Sequence, residues 1–233
     1  MSDAGHPLDN PVWGSLRGAH APLAAVASYG DGWGGRYQTD VCPFGAVADV
    51  GDPASWAALA STLHGEATCV LTDPSTVPEG WDVVAAIPGV QMDGASVEAA
   101  DDIDAVALTG ADVPEMLELV ERARPGPYLR RTVEMGRYLG IRHEGRLIAM
   151  GGERLHPPGW TEISAVCTDD RHRGAGLGTR LVRAVAAGVR ARDEVPFLHA
   201  SADNVDAIRL YEELGFTLRR LLTFTVVRQS RPA

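Results

Sequence analysis

The sequence predicts an α+β fold, and three observations carry that expectation. In the second half of the chain the elements run strand, helices, three strands joined by hairpin turns, helix, strand, helix, strand. The turn at Glu144-Gly145 between two apolar runs marks a hairpin rather than a crossover. Charge also divides the chain. Residues 1–104 hold 2 Arg against 15 Asp and Glu, and the remainder holds 19 Arg against 16. Such asymmetry predicts two units, divided as residues 1–103, a smaller acidic α/β half, and residues 104–233.

Composition narrows the function. With 233 residues, 45% hydrophobic and 22% charged, the chain is long enough for one large domain or two small ones. No run of about 18 apolar residues is present, which predicts no membrane span. The start, "MSDAGHPLDNPVW", has neither a basic segment nor an apolar core, so no secretory leader is expected and a cytoplasmic location is. Cys42, Cys69 and Cys167 are odd in number without C-x-x-C spacing, and read as reduced thiols. All 21 basic residues are Arg, which suggests a GC-rich bacterial genome and removes Schiff-base chemistry and the G-x-x-x-x-G-K-[ST] loop. The net charge of −10 argues against nucleic acid as the main ligand. The seven His show no metal-ligand spacing, so no metal is expected.

Along the first half, "PVWGSLRGAHAPLAAVA" reads as a helix. "DPASWAALASTLHG" reads as a better one, with Asp52 as cap and Gly65 as stop. "ATCVLTD" and "WDVVAAI" read as strands. Gly30, Gly32 and Gly35 fall at G-x-G-x-x-G spacing, but no helix pattern follows and Asp31 would repel phosphate. "DGASVEAADDIDA" is a connector, and the strand "AVALTG" follows it. A helix from "ADVPEMLELVERARPG" has Asp112 and Glu115 as a capping box, and "PYLRRTVEMG" reads as a shorter helix. "RYLGIRHEGRLIAMGGERL" is the hairpin and "TEISAVCT" the strand after it. From Leu177, apolar residues recur at 181, 182, 185 and 189, a helical period. "VPFLHAS" is a strand, "DNVDAIRLYEELGF" a helix capped at Asn204 and stopped at Gly215, and "FTLRRLLTFTVVR" a closing strand.

Between the strand "TEISAVCT" and the helix from Leu177 lies a glycine turn. Arg171, Gly174 and Gly176 form Q/R-x-x-G-x-G/A. A turn feeding a helix offers free N–H groups and the positive dipole end to phosphate. A lone match is weak. Here Asn204, Ala207, Tyr211, Gly215 and Phe216 follow on a second strand–helix unit at N-x-x-A-x-x-x-Y-x-x-x-G-F spacing. Together these residues resemble the GNAT superfamily of acyl-CoA-dependent N-acyltransferases over residues 104–233. "GWTEISAVCTDDRHRGAGLG" looks most like the branch containing glycine N-acyltransferase. The resemblance implies a mixed, mostly antiparallel sheet flanked by helices, and it leaves room for residues 1–103 to be a degenerate GNAT-like half.

It further implies acetyl-CoA or another acyl-CoA as cosubstrate and a small-molecule primary amine as acceptor. A homodimer is compatible with it. Val166, Cys167 and Thr168 would pair with the pantetheine arm. Gly174, Ala175, Gly176, Leu177, Gly178 and Thr179 would hold the pyrophosphate, with Arg171 and Arg173 at the rim and Asn204 nearby. Glycine is expected at 174, 176 and 178 for close approach or turn strain.

The chemistry then asks for two groups. An alkylammonium of pKa near 10 is neutral about one time in a thousand at pH 7, roughly 4 kcal/mol of barrier. A carboxylate can take the proton: Glu162, with Glu153 as second choice. The leaving thiolate needs a donor, and Tyr211 stands at the family position for it. Cys167 reads as a small buried residue rather than a nucleophile. The competing expectation is a CoA-binding regulatory module with little turnover.

Overall fold

The computed structural model describes residues 5–64 and 67–230. The N-terminal segment forms α1 (Pro11–Arg17), β1 (Ala24–Tyr29), β2 (Gly32–Tyr37), β3 (Gly45–Val47), α2 (Pro53–Ser61), β4 (Thr68–Thr72) and β5 (Trp81–Asp93). β6 (Val106–Leu108), α3 (Val113–Ala123), β7 (Tyr138–His143), β8 (Arg146–Glu153), β9 (Trp160–Thr168), α4 (Leu177–Arg190), β10 (Val195–Ser201), α5 (Val205–Glu213) and β11 (Thr217–Gln229) complete the chain. β1, β2 and β3 make a small antiparallel sheet. The remaining strands make one eight-stranded sheet in the order β4-β11-β5-β10-β9-β8-β7-β6, antiparallel except between β9 and β10. No helix among the described residues is long and apolar enough to cross a membrane.

The expected division at residue 104 does not separate two sheets. β5 lies between β10 and β11 and pairs with both, while β4 pairs with the outer side of β11. Charge asymmetry marks surface composition and is blind to strand pairing. Within the first half, β1, β2 and β3 join without a helical crossover.

Several local expectations change for identifiable reasons. The first expected helix ends at Arg17, and its apolar continuation becomes β1. α2 is capped as expected by Asp52, which accepts from the N–H groups of Ala54 and Ser55; Gly65 lies outside the described residues. The glycines of "YGDGWGGRY" serve packing. A Cβ on Gly32 would stand 2.3 Å from the α2 backbone and one on Gly34 2.6 Å from it, so these glycines let helix and strand touch. Asp112 does not cap α3; with Thr109 it boxes the 3-10 turn Gly110–Asp112, and α3 ends on left-handed Arg124. The short helix expected before β7 is a 3-10 turn, Thr132–Met135.

The large sheet has two faces. On the back, α4 buries Val182, Val185 and Val189 against Ile163 and Leu198, and Leu181 against Ile141, Ile148 and Ala149, each apolar side chain contributing about 1.5–3 kcal/mol. On the front lie α3, with Met116 and Leu119, and the N-terminal segment. There Leu8, Val12, Tyr37 and Phe44 pack against Leu155 and Phe197.

Candidate active site

β9 and β10 run parallel, but they pair only from Trp160 to Glu162 against Val195 to Phe197. Beyond that point β10 turns to β5 and leaves β9 without a partner on that side. β9 itself is irregular where this happens: Ala165 has φ +54°, and its register with β8 shifts between Met150 and Gly152. A bulge of this kind bends a strand and re-aims its backbone. Ser164, Ala165 and Val166 are half-exposed, in contrast to the buried Thr161, Glu162 and Ile163. The result is a wedge, closed at Glu162 and open toward Thr168.

The glycine turn lies at the open end. After the 3-10 turn Asp170–His172, Gly174 and Gly176 take φ +77° and +71°. An added Cβ would meet nothing within 4 Å at either position, so glycine serves conformation there rather than space. Gly178 needs neither explanation: its φ is helical and an added Cβ would meet Leu210 at an ordinary 3.7 Å. Gly176 begins α4 with no side-chain cap. The N–H groups of Leu177, Gly178 and Thr179 therefore have no helical acceptor. Leu177 anchors the turn in the core while residues 173–176 are exposed. Arg180 fixes the helix start to the connector, through Asp102 at 2.7 Å and Asp104 at 2.6 Å. The other expected turn residues are engaged locally. Arg171, largely in solvent, pairs with the buried Asp169 at 3.4 Å, and Arg173 with Asp170 at 2.8 Å, both exposed. Asn204 caps α5 by accepting from Ala207 N–H.

At the closed end, Glu162 does not stand free as a base. It is fully buried, with Arg154 Nε at 2.7 Å, Arg154 Nη2 at 2.6 Å and His199 Nδ1 at 2.7 Å. Burial works to raise its pKa, but Arg154 and then His199 outweigh it and hold the carboxyl at about 2. The network continues inward. Gln91 Nε2 donates to Leu8 O (2.9 Å) and faces His199 Nε2 (3.0 Å), while its Oε1 accepts from Arg219 (2.8 Å). That orientation of Gln91 is the one that satisfies all three partners, and it makes His199 Nε2 an acceptor and Nδ1 the donor to Glu162. Glu153, the second choice, points to the back face, where Arg192 (3.0 Å) and the backbone N–H of Arg137 (3.2 Å) hold it. The two carboxylates do not share a site.

Tyr211 lies on α5, half-buried, with its ring edge-on to Phe216 and Cys167 as its titratable neighbour. Burial, then Cys167, pushes the phenol up to about 12. Such a phenol stays protonated and able to donate. Burial likewise lifts the Cys167 thiol to about 12, which leaves it unreactive at neutral pH.

Arg154, His199 and Gln91 escaped sequence reading. The available signal was His199 two residues from Phe197 in "VPFLHAS", a polar group on the buried side of a strand.

Residues 138–225 match the family model of FR47-like proteins. A crystal structure of a GNAT-family protein from Novosphingobium aromaticivorans superposes with TM-score 0.87 at 42% identity, over 97% of this chain and 100% of that one. The chain belongs to the GNAT family. A GCN5-related N-acetyltransferase from Kribbella flavida shares the fold, with TM-score 0.57 at 17% identity over 94% and 96% of the two chains. Mycothiol acetyltransferase of Mycobacterium avium is 32% identical over 58% of this chain and 49% of its own length. The chain therefore spans about half the length of the curated relatives it matches. These relatives are bacterial, in keeping with the composition.

Proposed function

We propose that this GNAT protein transfers an acetyl or other acyl group from acyl-CoA to a primary amine by direct attack. The observation that carries the reading is the junction of the open wedge with an uncapped helix start whose two left-handed glycines expose backbone N–H groups. In this reading the pyrophosphate sits on residues 174–179. Each negative charge there gains roughly 0.3–1 kcal/mol from the helix dipole. The pantetheine arm replaces the missing partner of β9 along Val166, Cys167 and Thr168. The neutral amine attacks the thioester carbon, the carbon–sulfur bond breaks, Tyr211 gives its proton to the departing thiolate, and the proton shed by the new amide nitrogen restores the phenol.

Because Glu162 and Glu153 are both tied in ion pairs, the amine loses its proton to solvent rather than to either carboxylate. The likeness to the glycine N-acyltransferase branch rests on the same stretch, residues 159–178. Its acidic member, Glu162, is held by Arg154, so the glycine turn alone supports that finer assignment.

The test is a thermal-shift titration with acetyl-CoA, CoA and longer acyl-CoAs. Ligand at 100 times Kd adds about 2.7 kcal/mol, and the expected rise is roughly 5–10 °C for a chain of this size. Absence of any shift would overturn the reading. A shift without turnover across an amine screen would favour the binding-module alternative.

A further inference from the structure

One buried polar atom in the front face has no protein partner. Tyr138 opens β7 and is 1% exposed, and its hydroxyl is out of solvent with no hydrogen bond among the described residues. Its neighbours are already served. Tyr128, edge-on to its ring at 5.5 Å, donates to Met116 Sδ, and Arg154 is taken by Glu162. A buried hydroxyl left unpaired costs about 1–3 kcal/mol, whereas Phe would offer the same ring without that cost.

The direction of the ring is set by Gly152. A Cβ at Gly152 would lie 2.3 Å from Tyr138 Cδ1, 2.5 Å from Cγ and 2.6 Å from Cε1. The ring therefore lies flat across β8, and its hydroxyl is carried toward β9. Tyr138 pairs with Gly152, and Gly152 with Ser164, so the three residues form one row across three strands. Ser164 is the first half-exposed residue of β9 where the wedge opens.

We propose that the Tyr138 hydroxyl donates a hydrogen bond to the carbonyl oxygen of the acyl group, so that the site distinguishes acyl-CoA from free CoA. This rests on the acyl-CoA reading above. If the pyrophosphate lies on the start of α4 and the arm follows Thr168 back to Val166, the thioester comes next, at the row of Ser164. Gly152 then has a role in ligand binding as well as in packing, since it makes the channel through which Tyr138 crosses.

The test compares acetyl-CoA with CoA on wild type and on Tyr138→Phe, by calorimetric titration alongside ligand-free melting. Wild type is expected to favour acetyl-CoA. The variant keeps its CoA affinity, loses about 5- to 10-fold in acetyl-CoA affinity, and melts at the same temperature or higher. An unchanged acetyl-CoA to CoA ratio would overturn the proposal while leaving the CoA reading intact. A lower ligand-free melting temperature would also overturn it, because the hydroxyl would then be satisfied within the fold. Failure of wild type to bind either ligand would overturn both readings together.

Discussion

The two ends of β9 have opposite characters. At Trp160–Glu162 the strand is paired on both sides and its acidic group is locked by Arg154 and His199. At Ser164–Thr168 one side is unpaired, a bulge bends the backbone, and the side chains are half-exposed or apolar. The closed end holds the charges and the open end holds the space. A carboxylate at the right sequence position is therefore no guide to acid–base chemistry until its counter-charge is known. In the proposed reading, ligand contact in this strand falls to backbone groups and to phenols reaching in from other elements.

The largest test breaks the closed end. Glu162→Ala leaves the buried Arg154 uncompensated, which costs about 3–5 kcal/mol. That corresponds to a melting temperature lower by roughly 6–20 °C, readable by differential scanning calorimetry. A melting temperature that holds would show that Arg154 does not depend on Glu162. Acid sharpens the same point. Glu162 titrates at about 2 in the fold against an ordinary 4.5, so its contribution is present above about pH 4.5 and disappears as pH falls toward 2. His20 adds to the trend. Burial, reinforced by His156, lowers it from 6.5 to about 4, so the unfolded chain takes up its proton first and stability declines as pH falls from about 6.5. Melting temperature is expected to drop in both windows.

The next test addresses the open end. Tyr211→Phe should lower kcat on the order of 100-fold, about 2.7 kcal/mol, with acetyl-CoA affinity nearly unchanged. An unaltered kcat would remove Tyr211 from the chemistry. The smallest effect is expected at the rim. Arg171→Ala removes an exposed arginine from Asp169, which keeps Arg122, and Arg173→Ala removes a solvated pair with Asp170, so melting shifts by about 1 °C or less and acetyl-CoA affinity stays within about threefold. A tenfold loss would show that these arginines clamp phosphate.

Legibility in the sequence followed range. α4 was readable from its apolar period, α5 from its cap and stop, and the hairpin of β7 and β8 from Glu144-Gly145, because those signals are local. The glycine turn was readable for the same reason. The insertion of β5 was not, since its partners lie in β10 and β11, far along the chain. The fate of Glu162 was hidden likewise: Arg154 is eight residues away and His199 a strand away, and neither spacing advertises an ion pair. Nothing singled out Tyr138, because no sequence shows that a hydroxyl lacks a partner.

The place of β5 has a consequence for the order of synthesis. Asp93 leaves the ribosome about a hundred residues before Val195, the first residue of either flanking strand. Through that interval the apolar run Val83, Val84, Ile87, which remains exposed even in the finished sheet, has neither neighbour to pair with. Unpaired apolar strands of this kind recruit other chains. The nascent protein is most vulnerable to aggregation midway through translation, and slowing elongation between residues 94 and 195 should lower the yield of native protein more than slowing it elsewhere.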